Sequence, residues 1–170
     1  GQTPVFIAAW NERYECLERL LEVPGIDKDT PNQEGETPVA RAVANGHAKD
    51  VELLLAKGAN ANGRDNLGRT PVFIAAAKGH NECLELLLKV PGIDKDTPDK
   101  EGDIPLAHAV ANGHAKDVEL LLAKGADANR QDKWGRTPVF IAAEKGDYEC
   151  LELLLEVPDI DAVTPDNGGC

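Results

Sequence analysis

Few side chains in this sequence can do covalent, acid–base or metal chemistry. Histidine occurs at 47, 80, 108 and 114, cysteine at 16, 83, 150 and 170, and serine nowhere. The lack of serine removes serine-nucleophile hydrolysis, and there is no glycine-rich phosphate loop. Three cysteines lie 67 residues apart, in Tyr14-Glu-Cys16-Leu, Asn81-Glu-Cys83-Leu and Tyr148-Glu-Cys150-Leu. Equal spacing belongs to repetition. Units stacked about 10 Å apart hold equivalent positions two units along roughly 20 Å from each other. That exceeds the ~7 Å a disulfide tolerates and excludes a shared zinc. The expectation is three free, mostly buried thiols in a reducing, cytoplasmic setting. Cys170 follows Gly168-Gly169 and is expected to be exposed. Asp94-x-Asp96-x-x-Asp99 has the outline of a calcium loop, and Asp27-x-Asp29 is a weaker version of it. Neither has the sixth-position glycine and twelfth-position glutamate of an EF-hand, so both read as solvated acidic loops. No metal site, cofactor or catalytic residue is expected.

The elements that hold these residues come from a bulk composition of 170 residues, with 18 Lys+Arg, 30 Asp+Glu and a net charge of −12. This balance disfavours nucleic acid and anionic membrane as partners, because phosphate contact runs on Lys and Arg. No apolar stretch nears the ~18 residues of a membrane helix, and no signal peptide is visible. With aromatics at 4%, the core must be Ala, Val, Leu and Ile. Met is absent, even at position 1, which points to an excised, processed or engineered chain.

Thr3-Pro4, Thr37-Pro38, Thr70-Pro71, Ile104-Pro105 and Thr137-Pro138 mark a period of 34 and 33 residues in alternation. The Thr-Pro pairs at Thr30, Thr97 and Thr164 are followed by polar residues and are set aside as decoys. In the unit at Thr70, Thr caps a helix and Pro fits its first turn. Val72-Phe-Ile-Ala-Ala-Ala makes a short helix that Gly79 ends, and a second helix spans about Asn81–Val90 before Pro91-Gly92. A polar, turn-rich connection follows. One such pair cannot bury both of its faces, so the array is the folding unit.

Gly68-Arg-Thr-Pro-Val-Phe-Ile-Ala-Ala-Ala-Lys-Gly-His80 and Val51-Glu-Leu-Leu-Leu-Ala-Lys-Gly-Ala-Asn-Ala-Asn62 carry a clear family signature. The chain resembles the ankyrin repeat over its whole length, in five units starting near Gly1, Gly35, Gly68, Gly102 and Gly135. Residues 169–170 would open a further, truncated unit. The resemblance implies an all-α solenoid of helix-turn-helix units joined by β-hairpin-like loops. Two unit types alternate. Those at Thr3, Thr70 and Thr137 read Pro-Val-Phe-Ile-Ala-Ala, while Ala42–Ala59 and Ala109–Ala126, in the other two, are one identical string. Recent duplication and deliberate design both produce such repetition.

Departures from the family pattern carry their own expectations. The family histidine after Thr-Pro-Leu is Phe6, Ala40, Phe73, Ala107 or Phe140 here, which implies apolar contacts where loops are usually hydrogen-bonded. Ile104 has lost the Thr cap, worth roughly 0.5–2 kcal/mol, so the fourth unit should start less firmly. Asp50 and Asp117 stand where the family has Val or Ile. Near a helix start they gain from the dipole and are expected to be partly exposed. Glu12-Arg13 and Arg19 make the first unit a polar cap, whereas Leu153-Leu-Leu155 leave the last one uncapped. His47, His80 and His114 occupy the family's turn-bracing position. His108 is off it and expected to be exposed.

The resemblance further implies non-catalytic protein recognition, through hairpin tips and the exposed face of each first helix. Those positions are Trp10 and Asn11; Glu34, Glu36 and Asn45; Asn66, Leu67, Arg69 and Lys78; Lys100, Glu101, Asp103 and Asn112; Lys133, Trp134, Arg136 and Lys145. Trp134, between Lys133 and Gly135-Arg136, has the composition of a hot spot. It could equally fold back on Arg136 or a neighbouring hairpin. Tip charge alternates, acidic at Glu34/Glu36 and Glu101/Asp103, basic at Arg69 and Lys133/Arg136, which favours a specific protein partner. Leu122 with Asp127-Ala-Asn129 resembles the pattern at which ankyrin asparagines are hydroxylated, nominating Asn129. The alternative function is an engineered or excised scaffold that stacks end to end. Gly1 and Gly169 hold the same place in the cycle, so the length reads as five whole periods.

Overall fold

The computed structural model describes residues 1–168. Among them are ten helices and no strand, arranged as five helix pairs. The first helices of the pairs are α1 (Pro4–Trp10), α3 (Pro38–Ala44), α5 (Pro71–Lys78), α7 (Pro105–Ala111) and α9 (Pro138–Lys145). The second helices are α2 (Tyr14–Leu21), α4 (Ala48–Ala56), α6 (Asn81–Leu87), α8 (Ala115–Ala123) and α10 (Tyr148–Leu155). Each first helix packs on the next first helix and each second helix on the next second helix, giving two parallel layers. We number the pairs repeats 1 to 5.

Every helix is shorter than the ~12–15 residues that hold alone in water, so stacking sustains them. The caps fall where the Thr-Pro period puts them. Thr3, Thr37, Thr70 and Thr137 each accept the backbone N–H three residues on, at 3.2 Å, and Pro takes the first helical position. Gly79 ends α5 in the left-handed conformation at φ 72°. The second helix of repeat 3 stops at Leu87 rather than Val90, because Leu88 already serves as its C-cap and the chain tightens into turns before Pro91.

The core is aliphatic and small, with Ala9, Ala42, Ala75, Ala76, Ala109 and Ala142 fully buried beside Leu17, Leu54, Leu84, Leu87, Leu121 and Leu154. Ala at the contacts lets the layers approach closely. Phe6 and Phe73 are buried, with Arg41 over the Phe6 ring and His108 against that of Phe73 in the next repeat, and the small Ala40 and Ala107 at the equivalent positions there are buried too. Phe140 is half-buried, with no described repeat beyond it. Ile104 makes no cap bond, but its side chain is buried in the core. Helix α7 still begins at Pro105, the same place as its counterparts.

Three expectations about burial are overturned. Cys83 and Cys150 are buried, but Cys16 is exposed. Cys83 lies in α6 and Cys150 in α10, which pack against α4 and α8 of the preceding repeat, whereas no helix pair among the described residues precedes α2. Asp50 and Asp117 have no exposed surface. They take the inward-facing position that the family fills with Val or Ile, and that geometry outweighs the attraction of the helix start. His108 is half-buried, with its ring tilted 55° against that of Phe73 at 4.6 Å between centroids.

Candidate functional site

The hairpins that project from the helix layers are built on one recurring device. Asn32, Asp65, Asp99 and Asp132 each turn one side-chain oxygen onto the backbone N–H groups two and four residues ahead, at 2.9–3.1 Å. In the same hairpins the first residue's N–H donates to the carbonyl of the last, as in Asp65 to Arg69 at 3.0 Å. These are the β-hairpin-like loops, held without a strand among the described residues.

The tips are then tied to one another. The Asn66 backbone N–H donates to the Glu34 carbonyl at 2.9 Å, and its side-chain amide to the Gln33 carbonyl at 2.9 Å. The Lys100 N–H donates to the Leu67 carbonyl at 2.8 Å. Lys133 pairs with Glu101 across the next boundary. At the far end of the first helices, the Asn45 amide donates to the Trp10 carbonyl at 3.0 Å and that of Asn112 to the Ala77 carbonyl at 3.3 Å. The bracing histidines complete the joint. A ring nitrogen of His47 contacts the Ala9 carbonyl at 3.0 Å, of His80 the Ala44 carbonyl at 3.3 Å, and of His114 the Ala76 carbonyl at 2.9 Å. A carbonyl only accepts, so that nitrogen carries the hydrogen. The rings of His80 and His114 lie so close over the turn of the previous repeat that a Cβ at Gly46 would meet His80 at 3.1 Å and one at Gly79 would meet His114 at 2.9 Å.

Of the nominated surface positions, Trp10, Asn11, Glu34, Asn45, Asn66, Leu67, Lys78, Lys100, Glu101, Asn112, Lys133, Trp134 and Lys145 are exposed. Arg69, Asp103 and Arg136 are half-buried by their own hairpins. Glu36 departs from the expectation of an exposed contact residue. It is buried, paired with Arg41 and bound by the Asn32 amide at 2.9 Å. Of the two alternatives for Trp134, the fold-back on Arg136 is the one observed. Its ring sits between the Lys133 ammonium at 4.3 Å and the Arg136 guanidinium at 4.6 Å, yet 48% of the residue is exposed. At the other end Trp10 meets Phe6 edge-on at 6.2 Å, with the Arg41 guanidinium 5.1 Å from its ring. Both tryptophans are held by cation–π contacts and both border open clefts, one shared with Gln33, Glu34 and Arg41, the other with Asp103, His108 and Arg136.

The loops read as solvated acidic segments are more ordered than expected. Asp94 accepts the N–H groups of Asp96 and Thr97 and the Thr97 hydroxyl. Asp27 with Thr30 and Asp161 with Thr164 repeat the arrangement. The Thr hydroxyl, with the backbone N–H groups behind it, holds each carboxyl below its ordinary range. The Thr-Pro pairs set aside as decoys are therefore a second capping motif with the same 67-residue spacing. Asn129 also has a mechanical role. Its amide donates to the Asp159 carbonyl at 2.9 Å and accepts from the Asp161 N–H at 2.8 Å, as Asn62 does with Gly92 and Asp94. Cys170 and the start of a further unit at 169–170 lie outside the described residues. Burial pushes the Cys83 thiol up to about 11 and that of Cys150 up to about 12, so neither supplies a thiolate near neutrality.

Comparison with known proteins gives the same architecture. A family model described as ankyrin repeats (3 copies) matches residues 5–99 and 90–166. The human transient receptor potential cation channel subfamily A member 1 is 33% identical over 87% of this chain and 13% of its own length. The ankyrin repeat protein nuc-2 of Neurospora crassa is 34% identical over 89% of this chain and 14% of its own. The bovine ankyrin repeat and SOCS box protein 3 is 37% identical over 85% and 28%. The chain thus spans a minor part of the length of each. No helix among the described residues is long and apolar enough to cross a membrane. With five helix pairs in register and the family's model matched over residues 5–166, the chain belongs to the ankyrin repeats, a family generally of protein–protein interaction modules and typically non-enzymatic.

Proposed function

We propose that the five units, bounded near Gly1, Gly35, Gly68, Gly102 and Gly135, act together as a non-catalytic module that binds a protein partner through the hairpin tips and the concave face of the first helices. One observation carries this reading: tips and first helices are hydrogen-bonded from repeat to repeat, while Trp134 and Leu67 remain exposed on them. A surface fixed before binding loses little ordering entropy when a partner docks. Trp134 is the proposed anchor, because its ring is already oriented by two cations. The unpaired, buried thiols support a reducing, intracellular setting. Asn129 is proposed as the hydroxylation site, and a one-oxygen mass gain on treatment with an asparaginyl hydroxylase, lost in Asn129→Ala, is the check.

Affinity capture from a reduced cell lysate, repeated with Trp134→Ala, tests the main reading. The variant should bind the captured protein about 30-fold more weakly, the ~2 kcal/mol of a hot spot. Equal capture by both proteins would remove Trp134 from the interface. A second reading, end-to-end self-association as in a scaffold, is favoured by the exposure of Tyr148 at 72% and Leu155 at 46% on the last repeat. Light scattering over a concentration series separates the two, since a strict monomer at high concentration leaves no room for stacking.

A further inference from the structure

We propose that Asp99, Asp103 and His108 form a binding site for a divalent transition-metal ion, with zinc the expected occupant. The inference is independent of the protein-binding reading. It begins with a pattern of charge. In repeat 2 Arg41 sits on Glu36; in repeat 3 the Arg69 Nε donates to Asp65 Oδ2 at 2.8 Å; in repeat 5 the Arg136 Nε donates to Asp132 Oδ2 at 2.8 Å. The three equivalent positions are Asn32/Glu36/Arg41, Asp65/Arg69/Ile74 and Asp132/Arg136/Ile141, and each set is electrically neutral. In repeat 4 they are Asp99/Asp103/His108, which carry a charge of −2 when the imidazole is neutral. Where three hairpins place a guanidinium, the fourth places a second carboxylate and an imidazole. Lys133, whose charge reaches Asp99 and Asp103, is held by Glu101 and lies over the Trp134 ring.

The donors are close and pre-positioned. One ligand atom from each residue lies within 4.8 Å of the other two, and His108 Nε2 is 3.5 Å from Asp103 Oδ2. Two ligands at ~2.0–2.1 Å on a tetrahedral ion stand about 3.4 Å apart. Asp99 Oδ1 is fixed by the N–H groups of Glu101 and Asp103, at 2.9 and 3.1 Å. That leaves Oδ2, the oxygen that takes the arginine in repeats 3 and 5. The Asp103 side chain is only 15% exposed, and Phe73 backs the imidazole at 4.6 Å. One imidazole with two carboxylates suits zinc, cobalt or nickel better than calcium or magnesium, which prefer all-oxygen shells. Asp103 and His108 also line a cleft of about 200 Å³ with Trp134 and Arg136. Metal bound there would have its remaining coordination open to water or a partner's side chain.

Calorimetric titration of the full chain with zinc chloride is expected to show one ion bound per chain. Cobalt in its place is expected to give visible d–d bands without thiolate-to-cobalt charge transfer, which separates this site from Cys16 and Cys170. His108→Arg copies Arg41 of repeat 2, so it should keep the helical circular dichroism and the melting temperature. Its zinc affinity should fall by more than the ~10–100-fold that loss of an outer-shell partner already costs. Asp103→Asn should show the same loss. The proposal is overturned if zinc is not taken up, if both variants bind it as the parent does, or if cobalt shows a thiolate band. A calcium affinity equal to that for zinc would overturn the assignment of metal class.

Discussion

Repeats 2 and 4 contain the same string, Ala42–Ala59 and Ala109–Ala126, braced by the same Asn and His contacts, and differ in several residues around it. Thr37 caps α3, whereas Ile104 offers α7 no oxygen and buries its side chain instead. Arg41 closes an ion pair on Glu36, whereas His108 faces two aspartates. On the underside, Asn81 donates to Asp117 at 2.6 Å, whereas Tyr14 stands at the equivalent place and both oxygens of Asp50 lack a hydrogen-bond partner. Burial raises the carboxyl pKa of both. For Asp50 the neighbouring Glu12 and Glu15 add to the rise and His47 opposes it. For Asp117 the Asn81 amide, His114 and His80 oppose it. Identical helices therefore differ in energy, because in a stacked array each repeat's stability is shared with its neighbours.

The largest break in this comparison should come from Asp50→Val, which removes a buried carboxyl with no partner. It should stabilise the chain by roughly 1–3 kcal/mol at neutral pH, seen as a higher urea midpoint, while Asp117→Val gains less because it strands the Asn81 amide. A stability loss in Asp50→Val would show that the carboxyl has a partner after all. The pH dependence has a defined sign. With folded pKa values above the unfolded ~3.9, the folded chain keeps protons that the unfolded chain has lost. Asp50 and Asp117 therefore add a stability that is full at low pH and declines as pH rises from about 4 through the raised values. Subtracting the pH profile of the double valine variant from that of the parent should expose this decline, and a flat difference would contradict it.

Asn81→Ala should make repeat 4 resemble repeat 2 and destabilise the chain by about 1–2 kcal/mol, measured by denaturant unfolding. The converse, Tyr14→Asn, should supply Asp50 with the bond that Asp117 has and add ~1 kcal/mol or less; no gain would mean that the tyrosine ring's packing is worth as much. The smallest effect belongs to Ile104→Thr. A cap gains about 1 kcal/mol, and losing buried aliphatic surface costs a similar amount, so the melting temperature should hardly move. A large rise would show that the missing cap outweighs the buried side chain.

Much of this was legible in the sequence because the period fixed which residues are equivalent. The caps at Thr3, Thr37, Thr70 and Thr137, the stop at Gly79 and the bracing histidines follow from local chemistry repeated at one spacing. The errors came where local chemistry and position in the stack disagree. Asp50 is acidic near a helix start, which suggested exposure, but Val or Ile at that place in the family was the signal that the position points inward. Cys16 shares its phrase with Cys83, yet no helix pair among the described residues packs over it. The hairpin network of Asn32, Asp65, Asp99 and Asp132 follows the spacing of the Thr-Pro pairs, a signal carried by position rather than by one residue type. His108 stands at the place of Arg41 in repeat 2, and the aspartates facing it show only when the two repeats are aligned.

The three equivalent thiols have a use that comes from their different cover. Cys16 lies open at the first repeat, Cys83 is sealed in the middle and Cys150 is sealed at the last. A linear array loses its ends before its centre, so Cys150 should become reactive by fraying from the C-terminal side and Cys83 only when the middle opens. Thiol labelling on a time course would then read the order in which the stack comes apart, with Cys16 as the zero of the clock.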